Sequence, residues 1–192
     1  MADERNASSW RLLCALEERD WQQASKLIQK MGADREDQNF SYAAVPLPFG
    51  CYYILLARFQ GEQSNTKPSF GETREKLNQK VQGSPENAKL LSNLAVVDAL
   101  LGKKGDAIAE AKHAVKMLPV SKDAIEGPGL LMNLTAVYAW TNELDRAFEQ
   151  LDILAKLPNG IYYGNLKSDP YWDRLRKDPR FEKLLAELAP KD

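Results

Sequence analysis

The chain has 192 residues, 44% of them hydrophobic and 28% charged, which suits one domain or one short repeat array with a well-solvated exterior. Its 26 Lys and Arg face 27 Asp and Glu, a formal net charge of −1, so no basic field favours nucleic acid. No apolar run approaches the ~20 residues of a membrane span, and the acidic, polar start MADERNASSW has no hydrophobic signal core; no membrane partner and a cytoplasmic location are expected.

Residues 6–18 carry Trp10, Leu12, Leu13 and Leu16 at helical spacing. Asp20 is placed to cap a second helix over 21–31, with Ala24, Leu27, Ile28 and Met31 inward and Gly32 as the stop. The linker 33–45 is polar and has no period. Pro46 and Pro48 open an apolar helix over about 47–60 that Gly61 closes. A Gly/Ser/Asn/Thr/Pro loop fills 61–68, and a charged helix follows over 69–82, anchored by Phe70, Leu77 and Val81. Cys14 and Cys51 both lie in apolar helical segments and are expected as buried, reduced thiols.

Beyond the break at Gly83-Ser84-Pro85, residues 87–101 and 104–118 make an antiparallel pair, turned at Gly102–Gly105 and stopped by Pro119. After the connector 120–127, residues 128–141 and 144–156 make another, started by Pro128 and stopped by Pro158. These two pairs match each other at an offset of 40: Leu90, Leu91, Asn93, Leu94, Val97, Ala99 and Ala107 recur as Leu130, Leu131, Asn133, Leu134, Val137, Ala139 and Ala147. A repeat of that length means stacked helical units. Gly102 and Asn142 stand where each hairpin needs a residue tolerant of positive φ. In the tail, Asp169-Pro170-Tyr171-Trp172 is echoed by Asp178-Pro179-Arg180-Phe181. Each Asp can cap a helix and each Pro suits its first turn, with a final helix over about 179–189. No strand alternation competes, so the chain reads as all-α, with roughly eight long helices in four hairpins.

The pattern Leu91-x2-Leu94-Ala95-x2-Asp98 with Ala107-x3-Ala111 and Pro119, and its copy Leu131-x2-Leu134-Thr135-x2-Tyr138 with Ala147-x3-Leu151 and Pro158, resembles the tetratricopeptide repeat. Trp10-x2-Leu13-Cys14 with Ala24-x3-Ile28, and Gly50-x2-Tyr53-Ile54-x2-Ala57, are looser copies. The resemblance implies an α-solenoid of about four antiparallel hairpins as a single domain over 1–192. Degenerate hairpins then cover 6–82, two clear repeats 85–158, and a C-terminal cap 159–192, where Trp172, Phe181, Leu184, Leu185 and Leu188 cover the last apolar face. The segment from Leu118-Pro119 through Tyr163-Gly164-Asn165 to Asp178-Pro179-Arg180-Phe181 is similar to the C-terminal tetratricopeptide region of bacterial signalling proteins that carry a serine/threonine kinase or cyclase-like module. No kinase or cyclase motif is present.

In that family the first helices of successive hairpins line a concave groove. The resemblance therefore implies a peptide site of Lys89, Ser92, Asn93 and Val96, then Met132, Asn133, Ala136 and Trp140, with Tyr52 (beside Cys51, Leu55 and Phe59) on the preceding helix. Asn93 and Asn133 would form a ladder that bonds an extended peptide's backbone. A chaperone-tail clamp is incomplete, since Lys89 and Asn93 face Met132, Gly129 and Cys51. Chemistry finds no foothold. His113 is single and sits beside Lys112 and Lys116, the cysteines lack ligand spacing, and no phosphate loop or nucleophile elbow occurs. The expectation is a non-catalytic protein- or peptide-binding module without cofactor or metal, monomeric or weakly self-associating through the face around Trp10. The alternative is a regulatory domain packed in cis within a larger bacterial signalling protein; whether the chain is whole or a piece stays open.

Overall fold

The computed structural model describes residues 2–32, 47, 51–61 and 68–190. They fold into ten α-helices: α1 (Ala2–Glu17), α2 (Trp21–Gly32), α3 (Tyr52–Phe59), α4 (Pro68–Gly83), α5 (Ala88–Leu100), α6 (Lys104–Met117), α7 (Gly127–Trp140), α8 (Leu144–Leu154), α9 (Tyr163–Ser168) and α10 (Pro179–Leu188), with a 3₁₀ turn at Pro170–Trp172. No strand occurs among the described residues, and no helix among them is long and apolar enough to cross a membrane.

Helices α3, α5 and α7 form the spine. Helix α5 packs on α3 and on α7, and each spine helix meets its neighbours' outer helices: α2 lies on α3, α4 on α5, and α6 on both α5 and α7. Small residues permit these approaches. Ala95, Ala107, Ala111, Ala136 and Ala147 are all at or below 1% exposure, where a larger side chain would hold the helices apart. One apolar cluster runs from Leu12 in α1 to Leu184 in α10, so the core is continuous among these helices.

The turns repeat as well. Two residues past the end of α1, α3, α5 and α7 stands a residue with positive φ: Arg19 (59°), Gly61 (81°), Gly102 (78°) and Asn142 (61°). In three of them the next amide reaches back to the helix it has just left, Asp20 to Ala15, Lys103 to Asp98 and Glu143 to Tyr138, at 2.8–2.9 Å. That closes the helix carbonyls in the same reversed turn each time. Gly102 and Asn142 match the left-handed expectation, and Gly61 closes α3 as expected; Arg19 has no such signal in the sequence, because arginine carries no left-handed preference.

Caps fall where the side chains require. Asp20 Oδ1 accepts the Gln23 amide at 2.9 Å, and Asn87 Oδ1 accepts those of Lys89 and Leu90 at 3.1 and 3.2 Å. Two expectations are corrected. The apolar helix expected from about residue 47 begins at Tyr52, with Leu47 buried ahead of it. Cys14 is exposed and Cys51 buried, both as free thiols, because Cys14 lies on the outer side of α1. The linker 33–45, the pair Pro46 and Pro48, and the loop positions 62–67 lie outside the described residues.

Candidate functional site

The spine face is the natural place to look, and two things happen there. Between α5 and α7, Asn133 Nδ2 donates to Ser92 Oγ at 2.9 Å and to Asn93 Oδ1 at 3.5 Å. The repeated asparagines thus bond across the repeat to each other, inside the interface. They are 3% and 2% exposed, and Asn133 Oδ1 has no hydrogen-bond partner among the described residues.

Between α3 and α7, the chain's own C-terminal segment moves in. After α8 the chain reverses at Gly160, where a Cβ would stand 1.8 Å from the Leu154 carbonyl oxygen, so only glycine fits. Helix α9 follows, anchored by Leu166. Asp169 Oδ1 then accepts the Tyr171 amide at 3.0 Å and starts the 3₁₀ turn, which packs on α7. Tyr171 and Trp172 are 2% and 0% exposed. The Tyr171 ring meets Phe59 edge-on at 5.5 Å, and Phe59 in turn touches Trp21 at 5.6 Å and Trp140 at 5.9 Å. Four aromatics from α2, α3, α7 and the tail thus form one cluster. Burial holds the Tyr52 and Tyr171 hydroxyls well above their usual pKa, and the neighbouring Asp169 carboxylate adds to this. Both stay protonated at neutral pH and supply no base.

The segment is pinned at the far side by charge. Arg19, in the first turn, grips both oxygens of Asp173 at 2.5 and 3.1 Å, and Arg176 holds the same carboxylate at 2.6 Å. Helix α10 then packs on α9, and its Arg180 reaches α8, where it bonds Asp145 at 2.8 Å and stacks 4.3 Å over Phe148. Phe181 and Leu184 belong to the core cluster, and Leu185 and Leu188 pack on it. Trp172 joins the same cluster from the 3₁₀ turn, fully buried.

The expected groove is consequently not open. Tyr52, Ser92, Asn93, Val96, Met132, Asn133, Ala136 and Trp140 are all buried, partly in helix–helix contact and partly under the tail. Lys89 is the exposed member and pairs with Glu126 at 2.7 Å. A cleft of about 360 Å³ remains beside the tail. Helix α3 supplies Arg58 and Phe59, α7 and its turn supply Trp140 and Asn142, and the tail supplies Pro170, Asp173, Arg174 and Lys177. Phe59 and Trp140 were legible as spine residues. Arg174 and Lys177 belong to the densest basic stretch of the sequence, a signal with no address until the tail folds back.

Elsewhere, His113 is exposed on α6. No group of three or more His, Cys, Asp or Glu that could hold a metal ion occurs among the described residues. Asp98 is fully buried on α5 and takes a fork from Arg74 of α4 at 2.5 and 2.7 Å. Nearby Glu110 of α6 has its pKa pushed up to about 7, by burial first and by Asp98 second. This cluster ties α4, α5 and α6 together.

Comparison with known protein families, with curated proteins and with solved structures gave no match.

Proposed function

We propose that the chain is a non-catalytic, polypeptide-binding module built as a tetratricopeptide-like α-solenoid of four hairpins with a C-terminal cap. The repeat reading is supported by the four left-handed turn residues at 19, 61, 102 and 142, and by the packing of α5 on both α3 and α7. The observation that carries the binding reading is the tail. A short extended-to-3₁₀ segment, residues 169–172, lies against the spine helices with its aromatics buried, so this face already accommodates a polypeptide in cis. Two free thiols suit a cytosolic setting, and the resemblance suggests a bacterial signalling context. The groove residues expected from sequence enter this reading in a changed role: Asn93 and Asn133 join α5 to α7, and a ligand contacts what the tail leaves uncovered.

Selection from a random linear 12-mer peptide library, followed by calorimetry, tests the module. Enrichment of a recognisable motif with micromolar affinity is the expected result. Failure of any linear peptide to bind above background contradicts the reading.

A further inference from the structure

We propose that the cleft between the C-terminal ends of α3 and α7 and the tail is an acceptor site for an acidic stretch of a partner polypeptide. Arg174 and Lys177 take a carboxylate there, and Phe59 and Trp140 take the adjacent apolar side chain. The proposal rests on the polypeptide-binding reading and adds the chemistry of the ligand.

The charges point this way. Among the described residues, Arg19, Arg74, Arg146, Arg176 and Arg180 each hold a carboxylate. Arg174 holds none. Its guanidinium lies 4.4 Å over the Trp140 ring, and partial burial lowers its pKa with no opposing charge. Arg174 is exposed, and only its stacked face is partly desolvated; an arriving carboxylate supplies the missing counter-ion while the indole keeps the fork flat. Its free edge matches a carboxylate in a two-pronged contact. Lys177, on the same wall, has no carboxylate partner among the described residues either. Asp173, the acidic group on the wall, is already occupied by Arg19 and Arg176, so it does not neutralise the site.

The apolar wall selects among anions. Half-buried Phe59, with the edges of the buried Trp140 and Pro170 that line the cleft, gives a small apolar surface that a bare phosphate cannot use, whereas an acidic residue next to an aromatic or aliphatic one covers both parts. A volume of about 360 Å³ lies near the lower end of ligand-sized pockets (~300–1,000 Å³). That admits one or two side chains of a peptide rather than a folded element. Two unpaired cations on a chain of net charge −1 do not make the extended track that a nucleic-acid backbone needs.

The test uses the full chain and NMR of the Trp140 indole N–H, assigned with Trp140→Phe. The probes are acetyl-Gly-Glu-Phe-Glu-Gly-amide, the same peptide with Gln for both Glu, and sodium phosphate. We expect saturable shifts with the acidic peptide, and binding weaker by at least about tenfold, the equivalent of one charge-assisted pair, for the Gln peptide and for Arg174→Gln/Lys177→Gln. Both replaced side chains are exposed, so an unchanged Tm is expected for that variant. Equal binding of the Gln peptide, equal binding to the variant, equal shifts with phosphate, or no shift with the acidic peptide each overturns the site. The library selection described above decides separately whether the chain binds polypeptides at all.

Discussion

Glu110 is a carboxylate that the fold holds in an unfavourable place. Its pKa is pushed up to about 7, above the ordinary glutamate value of about 4.3, so the folded chain binds a proton that the unfolded chain has lost. Stability from this group is therefore full below about pH 4.5 and is lost as pH rises towards about 7. With solvent screening allowed for, the loss is roughly 1–2 kcal/mol. Glu110→Gln should remove that dependence: urea unfolding at pH 8 should show a gain of about that size, and at pH 4.5 almost none. The asparagine pair belongs to the same scale. Asn93→Ala/Asn133→Ala breaks the contacts to Ser92 and between the two amides, at a cost of about 1–3 kcal/mol. Urea midpoints should fall accordingly, while affinity for the acidic peptide should change less than twofold, or within ~0.4 kcal/mol. The sequence marked these two residues as special because packing alone does not ask for asparagine. It gave no means of telling a ladder that faces a ligand from one that faces its own neighbour, because that depends on the separation of α5 and α7.

At the scale of the element, the four turns carry the repeat better than the helices do. Gly102 and Asn142 were legible because glycine and asparagine tolerate left-handed φ. Arg19 was hidden because its turn is held from outside, by the bridge to Asp173, a residue 154 positions away. Gly102→Ala should cost about 1–2 kcal/mol in urea unfolding, from the Cβ penalty at φ 78°. Arg19→Gly should be close to neutral, since about 1 kcal/mol of relieved strain offsets an exposed ion pair worth about 0–1 kcal/mol. Helix α9 was not read from sequence at all. Its six residues carry one buried anchor, Leu166, too few for a period to register. The duplicated Asp-Pro signal marks two caps, with Asp169 and Asp178 each accepting an amide two residues on at 3.0 Å. Only the second starts an α-helix, α10; the first delivers Tyr171 and Trp172 to the 3₁₀ turn that packs on α7.

Across the molecule, the tail folds back and packs its 3₁₀ turn on α7 and its Tyr171 ring on Phe59 of α3. Burying a Tyr or Trp removes 150–250 Å² from water, about 4–6 kcal/mol each at most, and Tyr171 and Trp172 are both buried. The same act covers Tyr52 and Phe59 and builds one wall of the cleft. All-α class and most helix boundaries follow from local periodicity, so they are readable along the chain. The closed face was not, because it joins residues of α1–α3 to residues beyond 169, a pairing that no local pattern encodes. The direct test is a set of NMR cross-relaxation contacts in the full chain, from the Tyr171 ring to the rings of Phe59 and Tyr52. The tail account predicts strong contacts to both, given a Phe59–Tyr171 ring separation of 5.5 Å. Absence of these contacts, with the Tyr171 ring mobile in water, would contradict it and restore an open groove.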